Sequence, residues 1–552
     1  MSVLDRSAPA SGEDRDGGTR VHRLLADAFV AEGVSVVFAL MGDGNKLWLS
    51  DLHDGGAVRL VHARHEGAAL AMADGYARVS GEVGVCAVTY GPGVSQLSTS
   101  ALVAGKHGTP LVVFAADVAD PHRDSGDHLD VDERRLLEAA GLAVVEIRRP
   151  ERAEAAVHRA FHLARTARRP VALLVGVDVQ DRLAPASVPP PAPVAVSPTR
   201  PGRGPLREAA DLLRSSARPV LLAGRGVALS GAAGELSALG RATGAVVATT
   251  FGAKGVMDSD PSWIGLAGGF ALDPVRSVLE RADLVVAVGA SLNDHTTDHG
   301  RLFARARVLR IDESQPGPSD RTLHLRGDAA STLRALLETL GDQVVRPAWH
   351  RPETDPRLAH LVSHGVAIGD GRLDPRELML TLDRSLPADA VFVVGGGHFM
   401  GFAAQYLGNP TGRRRFELAF DFMTTGQAVP TAIGAATTSG GRMVVAVEGD
   451  ASFLMHIQEL ETAARSGIPL LVVVVDDGAL GAEYHQLALA GRDPAPSVAE
   501  GPDLAAVAAA LGGAGRRVTA LSELDDLLTW YDAARGPHVL DCLVSRDVRG
   551  PL

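Results

Sequence analysis

Residues 443–477 read MVVAVEGDASFLMHIQELETAARSGIPLLVVVVDD. Two apolar runs, Met443–Val447 and Leu470–Val475, each give way to acids, and Ile457, Leu460 and Ala464 recur between them at helical spacing. A run with no polar side belongs to a strand covered on both faces. Two such strands joined by a helix form a parallel pair.

The same unit recurs outward. Val83–Val88, Leu111–Ala115, Val171–Val175, Val220–Ala223, Leu284–Val288, Val391–Val394 and Val539–Val544 are all short Val- and Leu-rich runs. Pro110, Pro170, Pro219 and Pro469 stand at the start of four runs, where proline costs no ladder hydrogen bond. Two proline-rich breaks divide the repetition. The expected fold class is α/β: three doubly wound parallel-sheet domains at 19–182, 203–341 and 372–552. Linkers at 183–202 and 342–371 join them, and residues 1–18 form a disordered tail.

Composition narrows the function. The chain has 552 residues and a net charge of −12, which argues against gripping nucleic acid through its phosphates. No apolar run is long enough to span a bilayer, and the first residues lack a signal core. The two cysteines, Cys86 and Cys542, cannot build a disulfide scaffold. A large cytoplasmic enzyme is the expectation, with no nucleic-acid or membrane partner.

Parallel sheets place ligands beyond the carboxyl ends of their strands. There the sequence offers Gly449-Asp450-Ala451-Ser452 before a helix and Asp476-Asp477 after the next strand. A carboxylate pair over a helix start suits Mg²⁺ carrying a diphosphate. The alternative is two surface aspartates in ordinary loops. In the first domain Glu66 stands between the strand Val58–Val61 and a helix of small residues, with little to solvate it; this suits a group that holds or passes a proton. A helix-start Glu meeting the macrodipole is the plainer reading. Gly91-Pro92-Gly93 makes a tight turn after Val83–Val88. Leu222-Ala223-Gly224-Arg225-Gly226 lacks the third glycine of a dinucleotide fingerprint and reads as an ordinary turn.

As an ordered set, Arg64-His65-Glu66, Asp74-Gly75-Tyr76-Ala77-Arg78, Gly91-Pro92-Gly93, Gly449-Asp450, Ile457-Gln458-Glu459-Leu460 and Asp477 resemble the thiamine diphosphate enzymes of the acetolactate synthase and 2-oxo acid decarboxylase group. The resemblance runs from about residue 20 to the end. It implies pyrimidine-binding, central and diphosphate-binding domains, in that order. It gives Glu66 the hydrogen bond to the cofactor's aminopyrimidine, and Asp450 and Asp477 the side-chain ligation of Mg²⁺, with Ala479 adding a backbone carbonyl. Gly91 is placed among the cofactor contacts. Gly397, His398 and Phe399 would line the diphosphate, and Gly449, Ala451 and Ser452 would contact it by backbone and hydroxyl. Because family members bring the glutamate and the metal aspartate together across a subunit interface, a homodimer or homotetramer is implied. FAD, bound by true acetolactate synthases, is possible but not supported.

Several positions depart from the family pattern. Ala451 replaces the second glycine of Gly-Asp-Gly, and Asp476-Asp477 replaces Asn-Asn. The slot of the large apolar residue that bends the cofactor falls on Thr425, with Met423 nearby. Near the substrate end, Glu483 matches a catalytic glutamate of pyruvate decarboxylase-like members, and His485 follows two residues on. His128 takes a slot held by Phe in acetolactate synthases. The plainer alternative puts Glu483 and His485 on a solvated helix face. The implied reaction is decarboxylation of a small 2-oxo acid, then protonation to an aldehyde or attack on a second carbonyl. A lyase or transferase acting on an acyl-CoA or sulfo-substrate, and a non-catalytic binding subunit, remain as other readings.

Overall fold

The computed structural model describes residues 18–123, 125, 128–184, 198–314, 322–341, 346–351, 368, 371–421 and 423–550. The tail reading and most of both linker readings fall outside these. The chain divides into two compact units, residues 1–195 with 433–438, and residues 196–432 with 439–552.

The first unit holds one six-stranded sheet: β1 (Val36–Ala39), β2 (Arg59–His62), β3 (Gly84–Val88), β4 (Leu111–Asp117), β5 (Ala143–Ile147) and β6 (Pro170–Gly176). Their order is β2-β1-β3-β4-β6-β5, and every neighbour is parallel. Pro170 opens β6, the place where a missing N–H does no harm. Helix α1 (Glu66–Ser80) follows β2. It starts where the His65 ring accepts the Gly67 N–H at 3.0 Å, and it stops at Gly81, whose φ of +81° no β-carbon favours. Residues 67–78 are all buried, which explains why they are mostly Gly and Ala. The one charged pair among them, Asp74 and Arg78, closes on itself at 2.7 Å. Removing either partner would strand a buried charge, at a cost of about 3–5 kcal/mol.

The second unit holds two more sheets. The central one contains β7 (Pro219–Ala223), β8 (Val246–Thr249), β9 (Trp263–Leu266), β10 (Leu284–Val288), β11 (Arg307–Asp312) and β12 (Thr322–Arg326), in the order β9-β8-β7-β10-β11-β12. The last contains β13 (Val391–Val394), β14 (Arg415–Leu418), β15 (Val444–Gly449), β16 (Leu471–Asp476), β17 (Ala514–Val518) and β18 (His538–Leu543). Its order, β14-β13-β15-β16-β18-β17, repeats that of the first unit. All neighbours in both sheets are parallel. Three doubly wound parallel sheets are thus the observed architecture. Among the described residues no helix is long and apolar enough to cross a membrane.

Candidate active site

In the last sheet β14 lies on one side of β13 and β15 on the other. The connections after β13 and β15 therefore leave in opposite directions, opening a crevice at their carboxyl ends. Into this crevice run Gly397, His398 and Phe399 from β13, Glu448 to Ser452 from β15, and Asp476 to Ala479 from β16.

Two glycines let a ring sit at its base. Gly397 has φ +149°, and a β-carbon on it would stand 2.6 Å from the Phe399 ring; one on Gly449 would stand 2.8 Å from the same ring. Phe399 is buried between them and serves as packing rather than as an exposed lining group.

Glu448, which the sequence reading passed over, anchors the floor. It is fully buried; one oxygen accepts the Ala428 N–H at 2.7 Å, and the other accepts the Ser452 hydroxyl. The Ser452 oxygen in turn accepts the Gly426 N–H at 2.7 Å. The hydroxyl expected for a diphosphate is thus committed to Glu448. Burial pushes Glu448 up to about 7 against these donors.

Asp450 opens helix α2 (Asp450–Leu454) and is 4% exposed. Burial first, then the fields of Asp477 and Asp476, push it up to about 8, against the N–H groups of Ala451 and its own residue. It is a buried carboxylate short of positive charge. Asp476 and Asp477 divide their roles, as successive residues at a strand end point to opposite sides. Asp476 is buried, accepts the Gly478 N–H at 3.1 Å and packs against Asp541. Asp477 accepts the Ala479 N–H at 3.0 Å on Oδ1 and holds Oδ2 3.9 Å from His398 Nδ1. Ala479 bridges Val498, with Leu480 N–H donating to Ser497 and Ala499 N–H to Gly478. Its own carbonyl and N–H therefore face the other way, toward Asp477.

Helix α3 (Gly481–Leu489) follows. A β-carbon on Gly481 would lie 2.6 Å from Asp477 Oδ2 and 2.8 Å from His398 Nδ1, so the gap between those groups exists only because residue 481 is glycine. His485 is buried, its ring 4.8 Å from that of His398, and its Nε2 has no hydrogen-bond partner. Burial and then His398 hold it below the usual imidazole range. Glu483 on the same helix is exposed, as is Thr425, whose Oγ1 lies 3.2 Å from Met455 Sδ. The solvated-face reading thus describes Glu483 and not His485.

The first unit repeats the switch point between β1 and β3. Glu66 begins α1 half-buried, which is more exposed than its apolar sequence neighbours suggested, and its Oε1 is 3.7 Å from the β-carbon position of Gly93. Gly91 adopts φ +65°, and His128 is exposed in the segment after β4.

The central turn is spent on the fold. Gly224 N–H donates to the Val288 carbonyl at 2.8 Å and Gly226 N–H to Gly289 at 3.1 Å, so neither is left for a dinucleotide's pyrophosphate at this turn. Arg225 reaches Asp421 at 2.8 Å.

Three family models match in order: the thiamine pyrophosphate enzyme N-terminal TPP binding domain over 19–134, the central domain over 206–336 and the C-terminal TPP binding domain over 395–542. An acetolactate synthase of Mycobacterium bovis is 30% identical over 94% of this chain and 87% of its own. The chain belongs to the thiamine diphosphate-dependent, acetolactate synthase-like enzyme family. A probable acetolactate synthase large subunit of Methanocaldococcus jannaschii is 29% identical, covering 94% of this chain and 91% of its own. The Escherichia coli isozyme 2 large subunit is 28% identical, covering 94% of each. The crevice suits the family's cofactor on its own terms. A divalent cation would offset the charge crowding at Asp450.

Proposed function

We propose that the chain binds thiamine diphosphate through Mg²⁺ and decarboxylates a small 2-oxo acid, then protonates the remaining fragment or joins it to a second carbonyl. The observation that carries this reading is Asp450: a buried carboxylate at the switch point, pushed up to about 8 by burial and by its acidic neighbours. Asp450, Asp477 and the Ala479 carbonyl would hold the ion. The N–H groups at the start of α2 favour diphosphate oxygens, although a helix this short contributes modestly.

When bound, thiamine diphosphate supplies the electron sink that lets the carboxylate leave as CO₂. The chain's part is proton handling and orientation. Glu66 would exchange a proton with the aminopyrimidine nitrogen. His485, buried and unpartnered at Nε2, is placed to give or take a proton near the substrate, with His128 a second candidate from the first unit. Glu483, being exposed, would act only where substrate or a second chain covers it.

The active form is a homodimer or homotetramer. Met423, Met455 and Leu480, all apolar and exposed, flank the crevice of the last domain, and a second chain would cover them. Calorimetric titration with thiamine diphosphate and Mg²⁺ tests the cofactor, and CO₂ release across a panel of 2-oxo acids tests the reaction. A chain that binds no cofactor at millimolar concentration would leave only the binding-subunit reading.

A further inference from the structure

Nothing above uses Glu133. It opens a helix over Glu133–Ala139 and is 0% exposed. One oxygen accepts the Gly91 N–H at 3.0 Å, and the other, Oε2, has no hydrogen-bond partner. Asp117, at the end of β4 and 1% exposed, lies against it. Asp117 accepts the Val118 N–H at 2.9 Å and pairs with Arg123 at 2.5 Å.

The charged groups facing Glu133 are few. Asp117 and Arg123 come from β4 and the segment after it. Glu146 comes from β5 and is already held by Arg134 at 3.0 Å and Arg148 at 2.8 Å. The packed turn Pro92–Ser95 brings no charge. Arg123 pairs with Asp117, so Glu133 stands as a buried carboxyl whose own polar contact is the Gly91 N–H. Burial pushes Glu133 up to about 7, with Asp117 adding to it and the Gly91 N–H opposing.

What Glu133 grips is the turn beside Glu66. Gly93 borders Glu66 Oε1, as described above, and a β-carbon on Gly91 would stand 3.2 Å from the Leu129 carbonyl oxygen, next to His128. We propose that Glu133 is a positioning residue: its buried carboxyl, holding the Gly91 N–H across 42 residues of chain, clamps the Gly91–Gly93 turn and the His128 segment together beside Glu66. The clamp stands by itself; its effect on catalysis rests on the function proposed above.

The sign follows from linkage. Folded Glu133 holds its proton more tightly than the unfolded chain does, so the clamp is at full strength below the ordinary carboxyl range. It weakens as pH rises toward about 7, and above that it gains nothing from the proton. A second negative charge beside Asp117 then pushes the two elements apart.

Hydrogen–deuterium exchange on the full-length protein tests the clamp directly. Glu133→Gln keeps an acceptor for the Gly91 N–H and has no proton to lose. Comparing wild type with this variant at the same pH cancels the chemical exchange rate. For peptides covering 89–93 and 128–133, wild-type protection relative to the variant should fall roughly tenfold from pH 6 to pH 8, the limit for one titrating proton. An unchanged ratio overturns the proposal. Asp117→Asn, which removes the smaller like-charge contribution and leaves the burial of Glu133, should shift the fall to lower pH without abolishing it, and serves if the first variant does not fold.

Deuterium exchange at C2 of added thiamine diphosphate supplies the second readout. It should decline on the alkaline side in wild type and lose that decline in Glu133→Gln. Identical C2 profiles, with the protection ratio changing as expected, would overturn the tie to Glu66. No acceleration of C2 exchange at any pH would sink the proposed function and leave the protection data to decide the clamp.

Discussion

His398 Nδ1 faces Asp477 Oδ2 at 3.9 Å, while its Nε2 accepts the Gly550 N–H at 2.9 Å. A nitrogen that accepts is unprotonated, so the neutral ring carries its proton on Nδ1, toward the carboxylate. Asp477 is thus held by the N–H of Ala479, while the imidazole N–H stands near its other oxygen but beyond hydrogen-bond reach. The family's neutral amide has become a charge here, and the site has partly accommodated it.

That accommodation leads to an asymmetric pair of variants. Asp450→Ala should abolish Mg²⁺-dependent thiamine diphosphate binding, because it removes the carboxylate on which the cation would sit. Asp477→Asn should keep or strengthen binding, since an amide still ligates and relieves one of the charges crowding Asp450. Calorimetric titration of both variants checks this. Complete loss of affinity in a folded Asp477→Asn protein would refute the charge argument.

Gly481→Ala isolates the space between Asp477, the proposed metal ligand, and His398. Alanine suits a helix start at least as well as glycine, so thermal stability should hold. Its β-carbon, 2.6 Å from Asp477 Oδ2, must move that carboxylate or the imidazole. Mg²⁺ affinity should weaken, and turnover should fall by up to about 10²-fold if the displacement reaches 1 Å. A variant with wild-type binding and turnover would mean that Asp477 does not hold the ion where this geometry puts it.

Much of this was legible from the chain alone, for a physical reason. Interior strands such as Leu284–Val288 and Val391–Val394 are covered on both faces, and their uninterrupted apolar runs say so. The strands the sequence reading passed over are mostly sheet edges. Arg415–Leu418, Thr322–Arg326 and Ala514–Val518 keep one side free and so carry polar residues. Three interior strands were passed over as well: Val36–Ala39, Val246–Thr249 and Arg307–Asp312, the last because Arg307, Arg310 and Asp312 interrupt its apolar run. Asp450 and Asp477 announced themselves as acids ending apolar strands. Glu448 did not, because its partners are the N–H of Ala428, at the start of a helix 20 residues away, and the Ser452 hydroxyl in α2. Glu133 was hidden for a like reason, its bond to Gly91 spanning 42 residues.

The burial of His485 and the exposure of Glu483 give the proposed proton handling a test of its own. His485→Gln should slow product release more than it slows substrate attachment to the cofactor, because a buried imidazole with its Nε2 unpartnered is removed. Glu483→Gln, on the exposed face, should do less. NMR of acid-quenched cofactor species would show material accumulating after CO₂ loss in the first variant. Should Glu483→Gln alone cause that accumulation, the exposed face is covered in the working oligomer and the assignment reverses.

Glu66 carries the last and most direct test. Its proposed job is proton exchange with the cofactor's pyrimidine, not metal binding, and its place at the start of α1 beside Gly93 belongs to the first unit. A glutamine there keeps shape and some hydrogen bonding but cannot take up the proton. The Gly67 N–H is already capped by His65, so the helix start would lose only the modest macrodipole contribution of the charge. Glu66→Gln should therefore fold, assemble and still bind thiamine diphosphate with Mg²⁺ through the Asp450 crevice. Deuterium exchange at the cofactor's C2 should slow by roughly 10²–10⁴-fold, the ordinary size of an acid–base contribution, and turnover of any 2-oxo acid should fall with it. Quenched-exchange NMR reads this step without knowledge of the substrate. Fast exchange in wild type and variant alike would mean that another acid does the work. Exchange in wild type no faster than in free cofactor would return the chain to the role of a binding subunit.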